Sequence, residues 1–167
     1  MQSVDYENLV EAYILNDRAV LLAPQYLVRT NQHNRYPDIL AAHMKRKIFF
    51  LVEVTTSSKP ATLAAKFIDY RSGASEIVKG LASDFDIEPQ GWAIQPWVFL
   101  FEDVRTTFEQ ALAQFNCCYT TFEEAIVRPK AGTYSLDPAV WGPWERLTSA
   151  PNSVTSLASP PTSVVET

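Results

Sequence analysis

The sequence predicts an α/β fold in which a mixed central sheet of four or more strands is flanked by helices. The run from Ile48 to Thr55 is apolar and rich in β-branched residues, which is typical of a central strand buried on both faces. After it, apolar residues recur at helical spacing from about residue 60 to Leu81, and this stripe predicts a long helix over one face of the sheet. Further strand-like and helix-like segments on either side complete the α/β pattern.

The chain is long enough for one well-packed domain, which we place at residues 1–147. Of its 167 residues, 47% are hydrophobic and 12% aromatic, a composition that supports a packed core. No apolar stretch approaches the roughly 20 residues of a membrane span, so we expect no membrane association. The first residues carry neither the basic nor the apolar region of a secretory signal, so we expect a cytoplasmic protein. The adjacent Cys117 and Cys118 are expected to be reduced core residues, because neighbours seldom reach disulfide geometry.

The first third of the chain is predicted to form one helix and two strands before the buried strand. Apolar residues recur at helical spacing between Val4 and about Leu15, with acidic residues in the first turn. Residues 19–23 predict a short strand that continues irregularly to Val28. After a polar turn at residues 31–34, the segment from Arg35 to His43 predicts a second strand, which a turn at residues 44–47 joins to the buried strand.

The middle of the chain is predicted to alternate helix and strand. A serine cap followed by Pro60 predicts the start of the long helix near residue 60. Residues 92–101 predict a further strand, and Pro96 within it favours an edge position or a bulge because proline lacks an amide donor. Two more helices are predicted, at residues 106–115 and 121–127.

Beyond Pro129 the pattern becomes irregular. We expect Trp141 and Trp144 to pack back onto the domain as an aromatic cap. Residues 148–167 are rich in Ser, Thr and Pro and lack the apolar surface that offsets the entropy of ordering. This segment is therefore predicted to be a flexible tail or a segment that binds a protein partner.

Two carboxylates are predicted to lie on neighbouring strands. Glu53 stands inside the apolar strand, where an unpaired carboxylate costs several kcal/mol or loses its charge, so it needs a compensating cation. Asp38 follows Pro37 on the preceding strand. Both acids also have structural interpretations: Asp38 as a strand-start acid, and Glu53 as one partner of a buried ion pair with Lys66 or Arg71.

The order helix, strand, strand, strand, helix, strand, together with Pro37-Asp38 and Glu53-Val54-Thr55, resembles the PD-(D/E)XK nuclease superfamily over roughly residues 5–102. The resemblance implies a restriction-endonuclease-like core in a single nuclease-like domain. It also implies a metal-dependent endonuclease in which Asp38 and Glu53 bind Mg²⁺ or Mn²⁺. Members often add an acid from the first helix, and here Glu11 is preferred over Glu7.

This sequence departs from the family motif at one position. The family's lysine, two residues after the second acid, is replaced by Thr55. A lysine from the following helix could supply the positive charge near the attacking water, with Lys66 as the first choice and Lys59 as the second. Thr55 and Lys66 are therefore the remaining predicted catalytic residues.

The resemblance also implies partners. Lys59 and the hairpin residues Lys45 and Arg46 are predicted to contact the backbone of a nucleic acid, with DNA preferred over RNA. Small nuclease-fold domains often act as dimers, so a homodimer is a further expectation.

The overall charge favours other functions. A net charge of −5 and a pI near 5.0 argue against binding of nucleic acid by bulk electrostatics. The first alternative is a nuclease-like domain that has lost catalysis and serves as a protein-interaction or scaffold protein. The second is a small effector or accessory protein that docks through its C-terminal region.

Overall fold

A computed structural model describes residues 5–16, 19–30 and 33–126. The helices in these ranges are α1 (Tyr6–Ile14), α2 (Ala61–Ser72), α3 (Ala74–Asp84), α4 (Arg105–Ala111) and α5 (Phe122–Ile126). The strands are β1 (Val20–Pro24), β2 (Val28–Arg29), β3 (Asn34–Arg35), β4 (Ile39–His43), β5 (Ile48–Val54), β6 (Ala93–Leu100) and β7 (Cys118–Thr121). The predictions for Trp141, Trp144 and residues 148–167 lie outside the described residues. Within the described ranges, no helix has the length and apolar character needed to cross a membrane.

The α/β prediction is confirmed: a mixed five-stranded sheet is flanked by helices. Its strand order is β1-β4-β5-β6-β7, with antiparallel pairing from β1 to β5 and parallel pairing from β5 to β7. The predicted central strand is β5, in which every residue from Phe49 to Glu53 is buried. Strands β2 and β3 form a separate two-stranded hairpin.

The two faces of the main sheet are covered by different helices. Helices α2, α3 and α4 pack on the face that includes Phe49 and Leu51. On the opposite face, the ring of Tyr13 in α1 makes edge contacts with the rings of Trp97 and Phe99 in β6. Successive side chains of a strand point to opposite faces, so the residues of β5 alternate between the face covered by α2, α3 and α4 and the face covered by α1.

The predicted strand from Arg35 to His43 is wrong in its first half. Asn34 and Arg35 pair with β2, and the main sheet is joined only from Ile39 onward. Pro37 lies between the two strands and lacks an amide donor, so the ladder cannot run through it. The segment therefore leaves the hairpin, passes Pro37 and then enters the main sheet.

The predicted long helix is divided at Gly73 into α2 and α3. Its apolar stripe still packs on one core, to which Phe67 of α2 and Ile77 of α3 both belong. The interruption coincides with a close approach of the β2–β3 hairpin. A Cβ placed on Gly73 would lie 3.0 Å from the Cβ of Thr30 and 3.2 Å from its Cα, so any larger residue would require the hairpin to shift by a few tenths of an ångström.

Strand β6 lies inside the sheet between β5 and β7, so the edge position predicted from Pro96 is wrong. Backbone bonds to β5 are made by Ala93, which donates to Lys47, and by Phe99, which accepts from Thr55. Bonds alternate between the two neighbours along a parallel strand, so Pro96 faces the β7 side. The β6–β7 ladder begins only at Trp97, one residue later. The missing amide of Pro96 therefore breaks no bond of either ladder.

Strand β7 was not predicted, because its four residues are too few to show the alternation typical of a strand. The predicted helix at residues 106–115 is α4 followed by a short 3-10 turn, Ala113–Phe115, and the predicted helix at residues 121–127 corresponds to α5.

Both cysteines are free thiols, as expected, and burial raises the pKa of each to about 12. They are therefore poor nucleophiles at neutral pH.

Two glycines allow a matched test of the hairpin contact. Gly73→Ala is expected to lower the free energy of unfolding by about 1 to 3 kcal/mol, because the new methyl group collides with Thr30. Gly80→Ala, in the middle of α3 with no atom within 4 Å of the new Cβ, is expected to raise it by about 0.5 to 1 kcal/mol. Urea unfolding of both variants measures the difference. Equal stabilities would show that the hairpin does not press on Gly73.

Candidate active site

Asp38 and Glu53 lie at the same end of the sheet on neighbouring strands, as predicted. The β4–β5 register pairs Ile39 with Val52, so Asp38 lies beside Glu53 where the ladder ends. The Asp38 carboxylate accepts a hydrogen bond from the backbone amide of Val54, with 2.7 Å between Oδ2 and N. This bond fixes the Asp38 side chain against β5.

The Glu53 side chain is buried and has two partners on α2. Side-chain alternation along β5 directs it toward α2, on the same face as Leu51. The Nζ of Lys66 is 2.5 Å from Oε2, and the hydroxyl of Tyr70 donates to Oε1 over 2.9 Å. Residues four apart share one face of a helix, which explains why Lys66 and Tyr70 reach the same carboxylate. Lys66 is thus the cation that the burial of Glu53 required.

Burial and neighbouring charge set the protonation of this cluster. Burial raises the pKa of Glu53, hydrogen bonding and attraction from Lys66 lower it, and the charge of Asp38 raises it again. The pKa of Tyr70 is raised by burial and by the Glu53 carboxylate. Tyr70 is therefore a neutral hydrogen-bond donor at physiological pH, and the carboxylates repel each other in the absence of a further cation.

Glu7 of α1 is electrostatically coupled to Asp38. The pKa of Glu7 is raised by burial first and by Asp38 second. Glu11, the acid of α1 preferred from the sequence, lies one helical turn farther along, a rise of about 6 Å. Within the described ranges no three His, Cys, Asp or Glu side chains are grouped so as to hold a metal ion. The metal set of Asp38, Glu53 and Glu11 stays a prediction.

Thr55 is engaged with the loop that follows β5. Its hydroxyl accepts from the backbone amide of Ser57 over 3.1 Å, and its own amide donates to Phe99. These contacts shape the turn into α2, and the catalytic role of Thr55 stays a prediction. Lys59 is exposed in the same loop, at the end of the sheet that carries Glu53.

Lys45 and Arg46, two of the predicted nucleic-acid contacts, lie far from both acids. They belong to the β4–β5 turn, at the opposite end of these strands. Six residues of extended strand separate Lys47 from Glu53, which corresponds to about 20 Å. Asp38 and the turn are close in sequence, but β4 carries the chain away between them.

A second polar cluster, unforeseen from the sequence, lies beside Tyr70 on α2. Asp69 has 4% of its surface exposed and accepts from the Nε of Arg35 over 2.6 Å, with the Nδ1 of His33 at 3.4 Å. The Arg35 hydrogen bond lowers the pKa of Asp69. The contact ties the β2–β3 hairpin to α2. Arg35 and Asp69 belong to no recognisable motif, so nothing in the sequence indicated their contact.

A groove of about 480 Å³ lies elsewhere, between α3 and the start of β6. It is lined mainly by apolar surface, including Val78 and Trp92, and contains neither Asp38 nor Glu53. The acidic cluster, formed by Asp38 and Glu53 with the Glu53 partners Lys66 and Tyr70, is therefore separate from this groove.

Comparison with known proteins identifies no family for the chain. No family model matches it, and no curated protein matches it. Similar solved structures include one described as "Crystal Structure of Protein of Unknown Function AF1548", with a TM-score of 0.44 and 12% identity over 71% of this chain. The match spans 58% of the length of that structure. A likeness this distant carries no argument about function.

Proposed function

We propose that this chain is a metal-dependent nuclease that hydrolyses phosphodiester bonds of nucleic acid. One observation carries the proposal: Lys66 extends from α2 and contacts Glu53, one of the two acids at the strand ends. The contact supplies the positive charge that Thr55 cannot supply from the position of the motif lysine. In this proposal Lys66 takes, from the helix, the role that the family assigns to a lysine two residues after the second acid.

The residues present fit a small divalent cation such as Mg²⁺ or Mn²⁺. Asp38 and Glu53 offer carboxylate oxygens, the ligand type that Mg²⁺ prefers, and Mg²⁺ is commonly held by one or two carboxylates plus substrate and water. Each Glu53 oxygen accepts one hydrogen bond here, which leaves acceptor positions open. Asp38 and Glu53 would hold the ion, with the Val54 carbonyl as a further ligand. When bound, such an ion activates water and polarises the phosphoryl oxygens.

The protein groups have separate roles in this proposal. Tyr70 and the Val54 amide orient the Glu53 and Asp38 carboxylates, so these acids need little rearrangement when substrate binds. Lys66 places a positive charge where negative charge develops on the phosphate. Lys59 lies at the same end of the sheet and would contact the nucleic-acid backbone.

Cleavage assays test this proposal directly. Labelled DNA and RNA, single-stranded and duplex, are incubated with the wild-type chain in Mg²⁺, Mn²⁺ or EDTA. Cleavage is expected with either metal and not with EDTA, and Asp38→Asn purified in parallel is expected to be inactive. Cleavage that persists in EDTA, or equally in Asp38→Asn, would contradict the proposal. A cytoplasmic location and a homodimer stay predictions.

A second candidate is a catalytically inactive nuclease-like domain that serves as a protein-interaction or scaffold protein. The observation in its favour is that both Glu53 oxygens are already engaged by Lys66 and Tyr70, in a chain with a net charge of −5. Calorimetric titration with Mg²⁺ separates the two candidates. A chain that neither binds Mg²⁺ nor cleaves nucleic acid would favour the scaffold.

A further inference from the structure

The segment from His33 to Tyr36 borders the acidic cluster, and we propose that it binds single-stranded nucleic acid there, with the Tyr36 ring stacked on a base. This inference rests on the proposed nuclease function and adds the substrate class to it. It replaces Lys45 and Arg46, which lie at the far end of the sheet, with a binding surface next to Lys66.

The course of the segment along α2 leads into the site. Arg35 contacts Asp69, and one residue later the carbonyl oxygen of Tyr36 lies 3.4 Å from the Nζ of Lys66. Two residues further, Asp38 is bound to the Val54 amide. The segment thus runs antiparallel to α2 and delivers Tyr36 to a position between the hairpin and the acids.

This backbone is held in place on both sides of Tyr36. Pro37 is buried and restricts the preceding residue to extended conformations. On the other side, Arg35 is fixed by Asp69, and the hairpin itself rests on Gly73 through Thr30. A ligand that stacks on Tyr36 therefore meets a pre-ordered support and loses little free energy in ordering it.

The ring of Tyr36 is available to a ligand. Its residue is 55% exposed, and it is the one aromatic among the large hydrophobic side chains exposed in the described ranges. The rings of Tyr6, Tyr13 and Tyr26, by contrast, each pack against other rings. An exposed ring beside a proposed phosphodiesterase site matches the stacking platforms that proteins present to unpaired bases.

Two cationic side chains, Lys66 and Arg35, lie along the segment that carries Tyr36, together with the imidazole of His33. The side chains of Lys66 and Arg35 are 24% and 30% exposed, and that of His33 is 58% exposed. Arg35 uses part of its five-donor fork on Asp69, and its remaining donors can bind a phosphate. Stacking needs an unpaired base face, whereas a duplex offers only its backbone to this surface, so the surface fits a single strand.

Fluorescence anisotropy with the full chain tests the inference. The probes are a labelled single-stranded DNA, the RNA of the same sequence and the corresponding DNA duplex, all in EDTA so that metal-dependent cleavage is suppressed. Tyr36→Ala is expected to weaken single-strand binding by about 5- to 100-fold, while Tyr36→Phe binds like wild type because it keeps the ring. Met44→Ala, which removes an exposed apolar side chain from the β4–β5 turn, is the matched control and is expected to have no effect.

Several results would overturn the inference: absence of single-strand binding by wild type, unchanged affinity in Tyr36→Ala, an equal loss in Tyr36→Phe, or an equal loss for the duplex probe. Circular dichroism of each variant confirms that the fold is retained. Cleavage in Mg²⁺ is measured on the same preparations. If wild type cleaves nucleic acid and Tyr36→Ala binds single strands with unchanged affinity, this inference is contradicted and the nuclease proposal is not. If wild type binds single strands through Tyr36 but cleaves no nucleic acid, the nuclease proposal is contradicted and the binding surface is supported.

Discussion

Glu53→Gln is expected to reduce metal-dependent cleavage by about 100- to 1,000-fold while leaving the chain folded. The amide has the size of the carboxylate and can still accept from Tyr70, so the packing between β5 and α2 is retained. Its neutral oxygen cannot offset the charge of a divalent cation. The Lys66 side chain is 24% exposed, so its charge keeps access to water when Glu53 becomes neutral, and the repulsion with Asp38 is lowered. No large loss of stability is therefore expected.

Initial cleavage rates in Mg²⁺ and thermal unfolding midpoints measure the two effects together. Glu76→Gln is the matched control, because Glu76 is an exposed acid in the first turn of α3. It is expected to change neither quantity. Wild-type rates in Glu53→Gln would remove Glu53 from the reaction, and an unfolded variant would show that its charge is structural.

Lys66→Met is expected to lower the free energy of unfolding at neutral pH by about 3 kcal/mol, in addition to abolishing cleavage. Methionine keeps the packing volume but leaves the buried Glu53 carboxylate without its cation, and breaking one partner of a buried pair has costs of this size. Burial already raises the pKa of Glu53, and loss of Lys66 raises it further.

The sign of the pH dependence follows from that pKa. When the folded pKa of an acid is raised, the folded state binds the proton more tightly than the unfolded state does. Stability is then fully present below the unfolded pKa, near 4.5 for glutamate, and is lost as the pH rises through the folded value. The deficit of Lys66→Met is therefore expected to be small in acid and to grow toward neutral pH.

Urea unfolding at acidic and neutral pH measures this deficit. Lys79→Met, at an exposed position of α3, is the matched control and is expected to change stability little. The double variant Glu53→Gln with Lys66→Met is expected to recover most of the lost stability and none of the activity. A single variant that is stable at neutral pH would mean that the ion pair is dispensable for folding.

Much of the site could be predicted because a buried charge in an apolar strand requires a partner. That requirement identified Glu53 and led to Lys66 on the next helix. The hydroxyl of Tyr70 could not be predicted in the same way, because Tyr70 belongs to the apolar stripe of α2 and a stripe position indicates only burial. The Arg35–Asp69 contact depends on where the β2–β3 hairpin lies, which is a tertiary property without a local pattern.

The errors in the fold have a common cause. Strand and helix type follow from local periodicity, so β5 and the helical stripe were predictable. Strand order, in contrast, is decided by pairing between distant segments. Pro96 suggested an edge strand because the sequence does not show that the pairing of β6 with β7 begins only at Trp97. Likewise, the break at Gly73 serves a contact with Thr30, which lies in another element.

The strand topology also has a consequence for the order of folding. The contacts of the acidic cluster join residues that are close in sequence, with a separation of 16 positions from Asp38 to Val54 and of 13 from Glu53 to Lys66. Strand β6 joins β5 only after residues 55–92 have been traversed, and loop-closure entropy delays such distant pairing. We therefore expect the β4–β5 hairpin and α2 to form early, so that the cluster assembles before the parallel half of the sheet closes beside it.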